Sequence, residues 1–324
     1  MQEKKGVTAK SVFWISIGAA ALITFIVWVL GPRLLAFPHL PDQGSRWYYW
    51  KLPEPRFWSR FTSWLFYGLH QLSVWYIVIR AYREKAHPDK ISRLNIAMLL
   101  VNLVFVLLHL LQTHIWYDGL AQDVPIWTSQ FSVIIMLVLI LFMLIPRRGI
   151  FWGKKIAIPQ KYAGFIRGFH GYYISWALVY TFWFHPMEGN YGLLIGFAYM
   201  FLLFIQMSMF NTRYHVSVPW ITLLEVFVGF HGPLIAIMKK QDSWPMFFFG
   251  FMIMFLGTQI HGLKLKRFVP YIVLAAWLGG AAAAYYYRGY GTIYEVLFIP
   301  AGLYGGVFFL LLIGLFFRNK KRIV

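Results

Sequence analysis

Cysteine is absent from this 324-residue chain, and that absence removes several chemistries at once. Disulfides, cysteine-ligated iron–sulfur clusters, thiolate haem ligands and cysteine nucleophiles are all excluded. Any metal or haem would have to be held by His, Met, Tyr or carboxylate groups. Charge is also scarce. Only 13% of residues are charged, with 11 Asp and Glu against 30 Lys and Arg, whereas a soluble domain carries about a quarter. No polar stretch is long enough to enclose a core, so no soluble domain is expected. Low-complexity segments and the turn-rich alternating strands of a membrane barrel are missing too.

What is present is apolar surface. It makes up 60% of the chain and recurs in runs of about 20 residues, the length that crosses a bilayer as a helix. The pattern predicts an all-α, polytopic transmembrane helix bundle forming a single integral membrane domain over residues 1–324. Ten spans are expected, near Ser11–Gly31, Phe57–Tyr82, Leu94–Tyr117, Ile126–Pro146, Tyr162–His185, Tyr191–Phe210, Val216–Met238, Met246–Leu263, Phe268–Tyr287 and Val296–Phe317. The first run is too long for a signal-peptide core and lacks a small-residue cleavage site after it.

The net charge of +19 reflects basic loops, and no nucleic-acid partner is expected. Lys4, Lys5 and Lys10 precede the first span. Arg80, Arg83, Lys85, Lys90 and Arg93 lie around the second loop. Arg147, Arg148, Lys154, Lys155 and Lys161 lie between spans four and five. Arg213, then Lys264, Lys266 and Arg267, then Arg318, Lys320, Lys321 and Arg322 complete the set. Ten spans put all of these on one side, which the positive-inside rule makes cytoplasmic, with both termini inside. A bacterial inner (plasma) membrane is the expected location. Arg33, Arg46, Lys51, Arg56, Lys239, Lys240 and Arg288 fall on the other side and run against the rule. The first outer loop, with Trp47, Tyr48, Tyr49 and Trp50, reads as an interfacial cap at headgroup level. The run Gly279–Ala284 in span nine permits close helix approach.

Ionisable groups inside spans are costly, and each is a functional candidate. His70, His109, His170, His231 and His261 fall inside or at the edge of spans. Glu225 is the one clearly intramembrane carboxylate, and residue counting places it about mid-membrane. Arg167 precedes His170 by three positions, and Asn102, Gln206 and Gln259 complete the polar set. Counting at about 1.5 Å per residue places His109 and His231 in the outer half. It places His170 and His261 towards the inner surface, with His70 between. Two histidines sit in a repeated Gly-Phe-His-Gly, at Gly168–Gly171 and Gly229–Gly232.

A b-type haem is held between two neutral imidazoles, and a nearby glycine lets the ring approach backbone. The expectation is therefore one or two b haems. His109 and His231 would ligate iron on the outer side, and His170 with His70 or His261 on the inner. Arg167 would serve a propionate. This layered layout resembles that of membrane cytochrome b subunits of quinol-linked respiratory complexes. The resemblance is one of layout alone, since no family motif carries it and ten spans exceed the number usual in that class. It implies quinone as substrate, membrane lipid as surroundings, and further subunits of a respiratory-type complex as partners. The structural alternative is that these histidines and glycines do no more than bond and pack neighbouring helices.

The stretch from Gln112 to Pro125 gathers His114, Tyr117, Asp118 and Asp123. His114 and Asp118 share a face if the helix continues. They would then exchange protons with quinone, or with Asp123 form a divalent-metal site. A helix-ending turn at Asp118-Gly119 is the structural alternative. Two other function classes compete with electron transfer. One is a proton-coupled transporter using Glu225 and the intramembrane histidines. The other is a membrane-embedded lipid- or isoprenoid-modifying enzyme, for which dense histidine clusters are missing.

Overall fold

A computed structural model describes residues 8–40, 50–54, 56–85, 88–238 and 240–316. Lys4, Lys5, Arg46, Trp47, Tyr48, Tyr49, Lys239, Phe317, Arg318, Lys320, Lys321 and Arg322 lie outside these described residues. The described residues are all-α and contain no strand. Ten α-helices follow in order: α1 (Ala9–Leu30), α2 (Phe57–Ala81), α3 (Arg93–Ile115), α4 (Ile126–Arg148), α5 (Gln160–Phe184), α6 (Tyr191–Ser208), α7 (Val218–Met238), α8 (Trp244–Gly257), α9 (Val269–Arg288) and α10 (Phe298–Phe316). Short 3-10 segments extend or link them at Gly31–Ala36, Leu120–Gln122, Gln259–Gly262 and Tyr290–Leu297.

Eight of these helical segments are long and apolar enough to cross a membrane. The two exceptions are α2 and α5. Each has 25 residues and spans about 37 Å, so length is not the obstacle. Composition is: α2 carries Arg60, Thr62, His70 and Gln71, while α5 carries Lys161, Arg167 and His170. The chain is an integral membrane protein. Its surface is covered by large apolar side chains, and α2 shows why. Ser59, Thr62, Ser63, His70 and Gln71 are buried, while Trp58, Phe61, Leu65, Leu69, Leu72 and Tyr76 face outward. That inverts the amphipathic pattern of a soluble helix and suits hydrocarbon surroundings.

Helix ends follow local chemistry. Thr8 caps α1 by accepting from the Ser11 backbone. Ser92 and Asn95 form a reciprocal capping box on α3, and Asn190 caps α6. The turn after α4 is a two-residue hairpin. Trp152 (φ 46°) and Gly153 (φ 73°) are both left-handed, and Lys154 N–H donates to Phe151 O at 2.8 Å, the type I′ pattern.

The described chain falls into two compact units, Met1–Ser132 with Ile174–Leu224, and Val133–Tyr173 with Glu225–Val324. The divisions fall within α4, α5 and α7. Unit one packs an aromatic core, including Phe182, Trp183, Phe197, Phe201 and Phe204 with Met98 and Val74. Its loops gather at two opposite ends. At one, Ala9 N–H bonds Asp89 O, Arg213 N–H bonds Pro88 O, and Arg213 pairs with Asp89. At the other, Gly31 and Gly189 bring backbones together so closely that a Cβ on Gly189 would stand 2.6 Å from the Gly31 Cα. This is the grouping expected of helices that alternate in direction. Unit two has one core of Phe142, Ile145, Tyr162, Met254 and Val307 and another of Phe249, Ala281, Tyr285 and Val296.

Candidate functional sites

The stretch after α3 holds two consecutive left-handed residues of unit one. Helix α3 ends at Ile115, and Tyr117 (φ 61°) and Asp118 (φ 67°) are both left-handed. Consecutive non-glycine residues in that region store strain of order 1–3 kcal/mol each. The helix therefore does not continue to Asp118, and the i, i+4 pairing of His114 with Asp118 does not form. His114 instead donates Nδ1–H to Leu110 O at 2.8 Å, leaving Nε2 buried without a hydrogen bond. Asp118 turns inward and is fully buried. Its carboxylate accepts from Leu52 N–H at 2.8 Å and Gly119 N–H at 2.9 Å. Burial raises its pKa to about 7; these two hydrogen bonds and Lys51 pull the other way, and Asp123 adds to the rise.

Around this turn the polar groups interlock. The Tyr117 hydroxyl donates to Glu188 Oε1 at 2.6 Å. Its carbonyl accepts from Ser59 Oγ at 2.8 Å and Gln112 Nε2 at 3.0 Å. His39 Nε2 lies 3.9 Å from Glu188 Oε1, beyond hydrogen-bond reach. Asp123 is held apart by Arg60 at 2.6 Å and the Trp64 indole at 2.8 Å. Among the described residues no three His, Asp or Glu side chains converge as a metal site, so His114, Asp118 and Asp123 are not gathered. Glu188 joins this cluster from the link between α5 and α6. Its spacing to Tyr117 across 71 residues carries no local signal.

His70 anchors a second network, deeper in unit one. Trp183 Nε1–H donates to His70 Nδ1 at 3.1 Å, so the proton sits on Nε2 and goes to Asn102 Oδ1 at 3.0 Å. Asn102 Nδ2 donates to Ser208 Oγ at 3.0 Å, and Ser208 donates to Phe204 O at 2.7 Å. Every donor in this chain has one direction, and both ring nitrogens of His70 are engaged. Iron ligation by His70 requires breaking one of these bonds. His109 differs. It is fully buried, stacked on Trp183 at 4.4 Å with Phe182 and Phe197 around it. Neither nitrogen makes a hydrogen bond of ordinary geometry, although the His185 backbone is close enough to act on the ring.

In unit two the outstanding feature is an ion pair. Arg148, the last residue of α4, meets Glu225 of α7 in a fork, at 2.6 Å and 2.5 Å. The side chains are 2% and 10% exposed. Residues 213–217 form turns rather than helix, and α7 begins at Val218, so Glu225 stands about 10 Å into the helix, level with the end of α4. Arg147 Nε is buried beside the pair without a partner.

The remaining candidates are dispersed. His231 has its Nδ1 buried and unbonded. Around it a Cβ on Gly229 would meet Met252 at 2.4 Å and one on Gly232 would meet Phe247 at 3.5 Å, so this Gly-Phe-His-Gly packs α7 on α8. The other copy does not: Gly168 has open space beside it. His170 is half-buried and bonds Arg167 O at 2.5 Å through Nδ1, while Arg167 is exposed. His261 lies in a 3-10 turn after α8 and donates Nε2–H to Leu256 O at 3.0 Å. No family model, curated protein or solved structure matches the chain.

Proposed function

We propose that this chain is a proton-coupled membrane transporter, with ten spans and both termini on the cytoplasmic face of a bacterial inner membrane. The Arg148–Glu225 pair carries the reading. Two buried charges cost several kcal/mol each to desolvate, and an apolar pair would hold the helices at least as well. Ion pairs retained inside membrane-spanning helices mark ion or proton pathways. In this reading Glu225, paired with Arg148, is the group that exchanges protons. Asp118, held near neutrality at the other carboxyl cluster, is a second exchange station.

The test uses proteoliposomes loaded with a pH dye, with a potassium diffusion potential imposed and a solute panel of amino acids, sugars, nucleosides and inorganic anions. Protein-dependent proton movement in at least one arm is expected, and its loss in Glu225→Gln. Absence of movement in every arm, or undiminished movement in Glu225→Gln, defeats the proposal.

One observation favours a second reading, haem-b electron transfer linked to quinone and to partner subunits. His109 is buried with neither nitrogen in a hydrogen bond of ordinary geometry, an arrangement that costs about 1–3 kcal/mol per orphaned group and that a bond to iron would relieve at one nitrogen. His109 is the residue of unit one that would hold the haem, which would supply one-electron transfer. A redox difference spectrum without Soret or α bands refutes this reading.

A further inference from the structure

Unit two contains a cavity of about 290 Å³ lined by Trp152, His261, Lys266, Arg267 and Tyr271, with Ile260, Leu263, Leu265 and Pro270 completing the wall. Its position in the chain sets its depth. One candidate span ends at Gly262 and the next begins at Val269, so the link between them stands at the membrane surface. Its charge is of one sign. Lys266 and Arg267 line it, no carboxylate does, and neither cation is in an ion pair among the described residues.

The walls are fixed. Trp152 sits on the type I′ hairpin, and its N–H donates to Gly257 O at 2.7 Å. His261 packs on that indole at 5.0 Å and spends its Nε2 proton on Leu256 O. It forms part of the wall. Leu265, Phe268 and Tyr271 are exposed apolar groups at or next to this lining. The site is an aromatic slot with two cations outside any ion pair among the described residues, at headgroup level, and apolar side chains next to it. We propose that this cavity binds the phosphate headgroup of an anionic phospholipid, with the acyl chains along Leu265, Phe268 and Tyr271. Arg supplies a fork suited to phosphate oxygens, and Lys a point charge.

Native mass spectrometry of the full chain in detergent tests this, with phosphatidylglycerol and phosphatidylcholine of identical chains as probes. Selective retention of phosphatidylglycerol is expected, weakened at least about tenfold in Lys266→Gln/Arg267→Gln. Lys264→Gln, which alters the same loop charge outside the cavity, should keep it. If the double variant does not fold, Leu265→Glu places an opposing charge at an exposed wall position and should have the same effect. Equal retention of the two lipids overturns the proposal, as does equal loss in Lys264→Gln. Binding of inorganic phosphate without lipid preference assigns the cavity to a soluble anion and also overturns it.

Discussion

The His70 network offers the sharpest test of how unit one is held together. Asn102 accepts from His70 Nε2–H and donates to Ser208 Oγ, each at 3.0 Å. All three side chains are buried, with His70 and Ser208 fully inaccessible. Asn102→Ala strands a buried N–H on His70 and removes the donor to Ser208. Orphaning such groups costs about 1–3 kcal/mol each. Hydrogen bonds between membrane helices couple more weakly, about 0.6 kcal/mol on average and up to about 1.7, because the unfolded helices find other partners. Here no water reaches the site and each donor has one acceptor, so the upper part of that range applies. A double-mutant cycle of His70→Ala and Asn102→Ala, read by SDS-induced unfolding in mixed micelles, should give a coupling of about 1–2 kcal/mol. The cycle cancels the loss of His70 stacking on Phe105 at 4.5 Å. A coupling within error of zero would mean that the bonds do not form in the folded protein, and the directional chain from Trp183 to Phe204 would have to be abandoned.

Three further perturbations have defined outcomes. Gly119→Ala puts a Cβ 2.5 Å from Trp183 O and 2.7 Å from Phe184 O, both backbone. It should cost about 1–3 kcal/mol of unfolding free energy, whereas Gly164→Ala, with open space beside it, should be silent; equal effects count against the packing of this turn. Glu225→Gln should destabilise by about 3–5 kcal/mol by leaving Arg148 buried and unpaired, and Glu225→Leu/Arg148→Met should recover most of that; failure of the double variant to recover would show the pair is not isolated from other charges. Asp118 has its pKa raised from 3.8 to about 7. Its contribution to stability is thus fully present below about pH 4 and lost as pH rises through about 7, on the order of 4 kcal/mol in all. Unfolding followed from pH 4 to 8 should show this fall in the native chain and a flatter profile in Asp118→Asn; identical profiles would contradict the burial assigned to Asp118.

Helix positions were legible because apolar runs and their charged ends encode them directly. The expected span Phe57–Tyr82 is α2 at Phe57–Ala81, and Val216–Met238 is α7 at Val218–Met238. The largest departure is α8, expected to run to Leu263 but ending at Gly257. There Trp152 N–H takes the Gly257 carbonyl, and a distant hairpin of this kind leaves no periodic trace. The importance of the stretch after α3 was visible in its unusual polarity. That Asp118 would turn inward while Asp123 pairs with Arg60 was not, because two left-handed residues reversed the direction of the chain. The histidines stand out in the sequence as polar groups within apolar runs. Only tertiary structure separates His70, bonded at both nitrogens, from His109, with no hydrogen bond of ordinary geometry at either.

The measurement that bears most directly on the proposed role is proton movement through reconstituted protein. Proteoliposomes of the native chain, under an imposed potential and the solute panel, should acidify or alkalinise in a protein-dependent manner, and Glu225→Gln should abolish the response while keeping a monodisperse elution profile. A folded Glu225→Gln protein that moves protons as fast as the native chain would contradict the assignment of the Arg148–Glu225 pair to coupling.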